Sequence, residues 1–396
     1  MLYNCEGMSK ISYQRLQEIA QGIGLSVVGV AAADSLLEDR QRLRAWQETG
    51  CAGDMAFMLR DPELLSSPRR LLPEAKSVVV IGAYYDRQPR LPLPKGHGKI
   101  ARYAWGKDYH KVLRAKLKRL LEVVRNSVSG SVTARFFSDS VPLLERALAR
   151  QALAGFIGKN TMFISPRAGS FLFLGEILWD LEVSDLPNAV VKANCGPCTN
   201  CLDGCPTQAF VGERILDARK CISYLTIEKR GALTHEEREW LGDWIFGCDI
   251  CQDVCPFNVI SRKRSLRADI PELRAESGVG QSLDLIELIK MRDDSKFLER
   301  FAGTPIMRTK REGLVRNATV VAANKHYAEA LDALEEAALH DPSVVVRSHA
   351  LWSYLAILER ERDGDIWRAN LLIDRVSKDS DPLIQRELSL IRGGRK

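Results

Sequence analysis

The spacing of the cysteines constrains this chain more than any other feature. Of ten cysteines in 396 residues, all but Cys5 and Cys51 fall between positions 195 and 255. Cys195, Cys198, Cys201 and Cys205 read C-x₂-C-x₂-C-x₃-C, closed by Pro206. Three closely spaced thiolates on a tight loop can serve three irons of one [4Fe–4S] cubane, while the fourth, after a longer step, points away to a second cluster. A second run, Cys248, Cys251 and Cys255 closed by Pro256, repeats the end of the pattern, with Ile245 where a further cysteine would stand. Cys221 is the cysteine left to replace it from a distance. A crossed assignment follows: Cys195, Cys198, Cys201 and Cys255 for one cluster, and Cys205, Cys221, Cys248 and Cys251 for the other. Structural zinc is the alternative, because C-x₂-C pairs also bind Zn²⁺, yet zinc does not require the three-in-a-row run and a repeated Cys-Pro ending. Cys5 and Cys51 read as bystanders of the kind that behave as small buried hydrophobes.

Two neighbouring clusters conduct electrons one at a time, so the chain needs an electron acceptor of its own or a docked one. It has no G-x-G-x-x-G after a strand and no P-loop, so any further cofactor is bound by shape. With 45% hydrophobic and 27% charged residues, it reads as a globular protein of two or three domains. A net charge of +6 permits a polyanionic partner without demanding one. No apolar run reaches the roughly 20 residues of a membrane span. The start shows neither a signal-peptide pattern nor a twin-arginine pair. The expectation is a cytoplasmic protein whose thiols stay reduced.

Along the chain, Leu16, Ile19 and Ala20 share one face of a helix over 12–22. Strands are expected at 25–31, 77–84 and 171–178, and a basic helix at 108–125. Pro142 suits the first turn of a helix over 141–153. Residues 86–99, rich in Pro, Gly and charge, read as a surface loop. This alternation makes the first 188 residues an α/β (α+β) domain. Residues 189–260, rich in Cys, Gly and Pro, form a small domain held together by metal. Residues 261–304 read as a helical connector. In 305–396, Val315-Arg316-Asn317-Ala318 and Val346-Arg347-Ser348-His349-Ala350 each begin an apolar helix, and Asp341-Pro342 and Asp381-Pro382 start helices alike. The expectation there is an all-α, HEAT-like repeat.

Four further constellations invite chemistry. Asp139, at the end of an apolar strand, can be desolvated, which raises its pKa and suits a general acid; the plain alternative is a helix N-cap. The loop Gly155–Thr161 can present backbone N–H groups to a cofactor, or it is a simple turn. Asp108-Tyr109-His110 begins a D-x-H-x-x-G cobalt-ligand pattern, but Leu113 replaces the glycine, and His110 reads as structural. Arg308, Lys310, Arg311, Arg316 and Arg347 sit at the starts of the repeat helices, where phosphate contacts are favoured; ordinary exposed charge reads equally well.

Taken together, several stretches resemble the epoxyqueuosine reductase family. They are Ala101-Arg102-Tyr103-Ala104-Trp105-Gly106-Lys107-Asp108-Tyr109-His110, Asp139 with Leu144-Glu145-Arg146-Ala147, Gly158-Lys159-Asn160-Thr161, and Gly169–Glu176. Both cysteine runs, Cys221–Glu228 and the terminal repeat complete the match, which covers nearly the whole chain. The resemblance implies an N-terminal domain that binds cobalamin, base-off and without a histidine ligand, in a fold shared with reductive dehalogenases. It implies reduction of epoxyqueuosine to queuosine at the tRNA wobble position, with Asp139 as proton donor. It also implies a cofactor pocket with Arg60, Asn160, Ser170 and Ser223, and tRNA docking on the terminal repeat. An external one-electron donor such as a ferredoxin or flavodoxin, and a monomer, are expected. Two rivals are a cytoplasmic reductive dehalogenase-like enzyme and a ferredoxin-type carrier on a helical scaffold. Reductive dehalogenases of the respiratory type usually carry an export signal and lack the repeat; the second rival leaves the first 190 residues without a role.

Overall fold

The computed structural model describes residues 10–85, 89–187, 192–262, 269–360 and 366–394. The expected boundary at 188/189 and Cys5 lie outside them. The chain divides into two compact units, each assembled from three stretches. Among the described residues no helix is long and apolar enough to cross a membrane.

The first unit comprises Met1–Gln88, Asp108–Ala218 and Asp249–Arg274. Its main elements are α1 (Tyr13–Gly22), β1 (Ser26–Ala32), β2 (Ser77–Tyr84), α2 (Tyr109–Ser127), β3 (Ala134–Phe137), α3 (Glu145–Gln151) and β4 (Leu172–Trp179). The sheet order is β1-β2-β4-β3, and every pairing is antiparallel. The expected helix–strand alternation therefore resolves to α+β rather than to a parallel sheet. Every residue of β4 is buried, as is expected of a strand covered on both faces. On one face Phe173 stacks on Tyr109 of α2, and Gly175 lies against Leu117. On the other, Leu172, Leu174 and Leu178 pack with Ala147 and Leu148 of α3, each leucine contributing roughly 1.5–3 kcal/mol. Glu176 interrupts that apolar row and is wholly buried.

α2 forms because Leu113, Leu117, Leu120, Leu121 and Val124 fall on one face with lysines and arginines opposite. Asp108 caps it, its carboxylate accepting from the His110 N–H. The helix expected over 141–153 begins only at Glu145. Upstream, the Leu144 N–H donates to the Leu65 carbonyl at 3.0 Å, so residues 138–144 form a loop and Pro142 lies outside the helix.

The second unit comprises Pro89–Lys107, Arg219–Cys248 and Ala275–Lys396. The segment read as a surface loop over 86–99 ends in the strand His97–Ile100, the middle of a three-stranded sheet between Trp244–Phe246 and Ser282–Asp284. Residues 86–88 lie outside the described set. Gly98 is needed there: a Cβ would stand 2.5 Å from Ile245. Position 245, where the second run lacks a cysteine, is thus a fully buried core strand residue.

Helices Lys310–Asn324, Leu331–His340, Val344–Leu358, Ile366–Val376 and Pro382–Gly394 complete this unit. Arg316 and Asn317 are buried within the first of them. The Asn317 amide donates to the carbonyls of Thr226 and Ile245, and Arg316 donates to those of Leu225, Lys229 and Gly231, at 2.7–3.0 Å. Buried carbonyls thereby gain the partners they require. Arg311 forks onto Asp341 as Arg347 reaches Asp379.

Candidate functional site

The two cysteine runs fold alike. In Asn200–Asp203 and Ile250–Asp253 a single helical turn follows a residue near φ −122° or −109°. The backbone bonds correspond: Leu202 N–H to Thr199 and Gln252 N–H to Asp249, then Gly204 to Asn200 and Val254 to Ile250.

Cys195, Cys198, Cys201 and Cys255 converge closely enough that their charges bear on one another. Burial first, then the thiols of Cys195, Cys255 and Cys198, push the Cys201 thiol up to about 11. Cys255 is raised by burial, and Cys195 and Cys198 add to the effect. Crowded thiols of this kind call for a cationic centre, since a thiolate is the metal-binding form. Among the described residues no three His, Cys, Asp or Glu side chains crowd around a point that one ion could fill. A cubane takes one thiolate per iron and so spaces its ligands more widely. Cys205 and Cys251 belong to the same unit, Cys221 and Cys248 to the second; Cys221 precedes the helix Ile222–Ile227 as its N-cap residue. Backbone N–H groups of Lys159 and Ala209 point at the sulfurs of Cys195 and Cys205, each at 3.4 Å. Cys51 is buried and its carbonyl accepts from Ala218.

The loop Gly155–Thr161 supports this sulfur site. The Asn160 amide donates to the Cys251 carbonyl at 3.2 Å. Ser170 sits between Gln252 and Asn258, and Gly169 leaves the room: a Cβ there would lie 2.1 Å from Asn258 Oδ1. Asn160 and Ser170 are 3% and 1% exposed with their polar atoms committed, so they brace the cysteine loop rather than line an open pocket. Arg60 is exposed, and its carbonyl accepts from Gln47. Ser223 is half-buried on its helix in the second unit.

Asp139 stands at the end of β3 with φ +50°. It caps no helix, since α3 begins after Leu144 without a side-chain cap. Its carboxylate accepts from the Tyr109 hydroxyl at 2.5 Å and lies 3.6 Å from His110 Nε2. His110 Nδ1 meets Asp108 at 2.8 Å. Tyr109 is fixed by stacking on Phe173, centroids 4.1 Å apart. Burial acts to raise the Asp139 pKa, but hydrogen bonds from His110 and Tyr109 and the charges of His110 and Arg146 outweigh it, and the net direction is down. This corrects the expectation of a raised pKa: the carboxyl finds partners at the strand end where desolvation alone was foreseen. Burial opposes the charge on His110, but Asp108 and Asp139 raise its pKa to about 9. The proton of the group therefore resides on the imidazole. Tyr109 and His110 went unrecognised in the sequence as partners of Asp139; their signal was the shared stretch with Asp108.

Of the five basic residues expected to meet phosphate, Arg308 and Lys310 are exposed, Arg308 being paired with Glu228 at 2.9 Å. Arg311 and Arg316 are 4% and 1% exposed and occupied by Asp341 and backbone carbonyls. That corrects their place among surface contacts: the fold uses their charge inside. Arg347 is half-buried against Asp379.

The family model described as a 4Fe-4S double cluster binding domain matches residues 194–258, and that described as Epoxyqueuosine reductase QueG, DUF1730, matches 66–140. An epoxyqueuosine reductase of Xanthomonas campestris pv. campestris is 40% identical over 86% of this chain and 94% of its own. A crystal structure of epoxyqueuosine reductase with an epoxyqueuosine-modified tRNA-Tyr stem loop is 31% identical, with a TM-score of 0.83 over 95% of this chain and 96% of that one. The Bacillus subtilis epoxyqueuosine reductase, solved with its catalytic aspartate loop swung out of the active site, is 30% identical with a TM-score of 0.81, at the same coverages. Identity and coverage at this level, on a chain whose paired cysteine turns and strand-end aspartate are already in place, make it a member of the epoxyqueuosine reductase family.

Proposed function

We propose that this chain reduces epoxyqueuosine to queuosine at the wobble position of tRNA, the final step of queuosine synthesis. The epoxide takes up two electrons and two protons and leaves as an alkene and water. The observation that carries the chemistry is Asp139, hydrogen-bonded to Tyr109 and facing a protonated His110, in the same unit as the convergent thiols.

Two [4Fe–4S] clusters form the electron path, the first held by Cys195, Cys198, Cys201 and Cys255, the second by Cys205, Cys221, Cys248 and Cys251. N–H groups directed at Cys195 and Cys205 stabilise the thiolate ligands and so bear on the cluster potentials. A ferredoxin or flavodoxin supplies the electrons. The protein is cytoplasmic and works as a monomer.

Cobalamin, held by shape, would sit in the first unit. Both imidazole nitrogens of His110 face carboxylates, at 2.8 and 3.6 Å, which would leave no nitrogen lone pair to bind a cobalt. When bound, cobalamin supplies a strongly reducing cobalt centre able to act on an epoxide carbon. Of the residues placed in the cofactor pocket, Arg60 is the one with an exposed cationic head for the corrin's side chains. Asn160 and Ser170 act behind it, by bracing the cysteine loop. Ser223 rests on the family resemblance alone.

Asp139 delivers a proton to the opening oxygen, and the imidazolium of His110 reloads it, with Tyr109 fixing the carboxylate's direction. The helices from 310 to 394 are a HEAT-like array that docks tRNA, and the relative solved with a modified stem loop supports tRNA as the substrate. Epoxyqueuosine-bearing tRNA incubated with protein purified without oxygen, followed by nucleoside analysis, tests the proposal. Queuosine should form only with a reductant, in protein holding about eight irons per chain and one cobalt. Zinc in place of iron, or no queuosine from loaded protein, would overturn it.

A further inference from the structure

Behind the Asp139 loop lie two carboxyls for which the reaction gives no use. Glu176 belongs to the apolar row of β4, between Leu174 and Leu178, opposite Val80 of β2 and Phe137 of β3. It is 0% exposed, and neither carboxyl oxygen meets a hydrogen-bond donor. A buried carboxylate without a donor costs several kcal/mol, so the missing hydrogen must be its own. The neighbouring polar group is the carboxyl of Glu145, the first residue of α3. The other side of Glu145 faces the loop, where its Oε1 accepts the Asp139 backbone N–H at 2.5 Å.

We propose that Glu145 and Glu176 share one proton, and that this carboxyl pair is a positioning device that holds the backbone of Asp139 in its left-handed conformation. The protonated Glu176 donates to Glu145, and Glu145, carrying the negative charge, binds the Asp139 N–H with charge-assisted strength. A non-glycine residue at positive φ is otherwise unfavourable by about 1–2 kcal/mol, and the bond to Glu145 offsets that cost. No covalent step is involved, and the proton stays within the pair. The inference rests on Asp139 being the proton donor of the proposed reaction.

The titration behaviour agrees. Burial, then the nearby charge of Asp139, raises Glu145 to about 7. Burial, then the charge of Glu145, holds Glu176 well above the usual carboxylate range. The charged groups bearing on the pair are Asp139 and Arg146, with His110 beyond Asp139; β2 and β3 face it with Val80 and Phe137. One proton is therefore held at neutral pH and above, and a second joins as pH falls through about 7. Glu145 then loses its charge and its grip on the loop weakens.

The test compares Glu145→Ala, Glu145→Gln and Glu176→Gln in the cluster-loaded full chain. Glu145→Ala should speed hydrogen exchange at the Asp139 amide about tenfold, as expected for loss of a charge-assisted hydrogen bond. It should also lower kcat at constant KM for tRNA. Glu145→Gln keeps an acceptor for that N–H and should recover most of both. Glu176→Gln, isosteric and able to donate to Glu145, should fold and should move the acid-side midpoint of kcat below 7. The infrared carbonyl band of a protonated carboxyl, present in the parent at pH 8, should vanish in Glu176→Gln. Unchanged exchange in Glu145→Ala, no rescue by glutamine, or no such band in the parent would each overturn the proposal. Exchange and infrared readouts need no turnover, so they stand apart from the assignment of Asp139, which full activity in Asp139→Asn would remove.

Discussion

The Asp139 carboxyl is held toward its charged form, with the His110 imidazole 3.6 Å away. The Asp139 side chain is largely exposed; desolvation at the strand end acts to raise its pKa, but the His110 and Tyr109 partners outweigh it. In the proposed reaction a carboxyl held in this way must be reloaded through its partners, and this gives two expectations. Asp139→Asn keeps the shape but cannot give up a proton, so turnover should fall about 100-fold or more, while iron content and tRNA affinity hold. Activity near the parent's would remove Asp139 from the reaction. His110 should titrate by NMR with a midpoint near 9, well above its ordinary value, and should drop in Asp139→Asn. Since folding raises this pKa, the contribution of the ion pairs to stability is complete below pH about 6.5. It is lost as pH rises through about 9. A midpoint near 6.5 in the parent would show that the carboxylates do not hold the imidazolium.

At the scale of elements, the two cysteine turns copy one another, and in the proposed assignment each lends its last cysteine across. Cys255→Ala should then abolish the same electron-paramagnetic signal as Cys198→Ala, and Cys205→Ala the other one. Each variant should retain about four of eight irons. If Cys205→Ala and Cys198→Ala removed the same signal, ligation would follow sequence order instead. These turns were legible in the sequence because ligand spacing is local and strict. So was β2, whose run Ser77–Tyr84 is apolar at almost every step, as a strand covered on both faces must be. The strand His97–Ile100 was hidden: its four residues follow a Pro- and Gly-rich stretch, and only pairing to segments about 145 and 185 positions away makes it a strand. The start of α3 was missed because Pro142 suits a first turn, whereas the Leu144 bond to Leu65 fixes the loop instead. Tyr109, His110, Glu145 and Glu176 were beyond reach for a common reason. Their roles depend on which row of β4 faces which helix, and that is set by the antiparallel register.

Across the molecule, charge that a sequence offers as surface is divided between interior and exterior. The second unit draws its core from three separate stretches, and buried ion pairs lock them together. Arg238 forks onto Glu387 at 2.7 and 2.9 Å, with His235 and Ser348 on the same carboxylate. Glu387→Ala would leave a buried guanidinium unpaired, and denaturant unfolding should show a loss of about 3–5 kcal/mol; a loss under 1 kcal/mol would mean that water reaches Arg238. Arg311 and Arg316 have the same interior character, so their contribution to nucleic-acid binding should differ in kind from that of Arg308 and Lys310. Charge reversal at Arg308 or Lys310 should leave the melting temperature within a few degrees of the parent. It should weaken tRNA binding and reduce the log–log salt dependence by about one for each phosphate no longer neutralised. Arg311→Glu should instead destabilise the fold, since it sets a second carboxylate against Asp341. Any tRNA that the surviving folded fraction binds should show the parent's salt dependence. The comparison therefore separates a docking surface from a structural lock: a salt slope unchanged by both surface reversals would place the phosphates elsewhere on the protein.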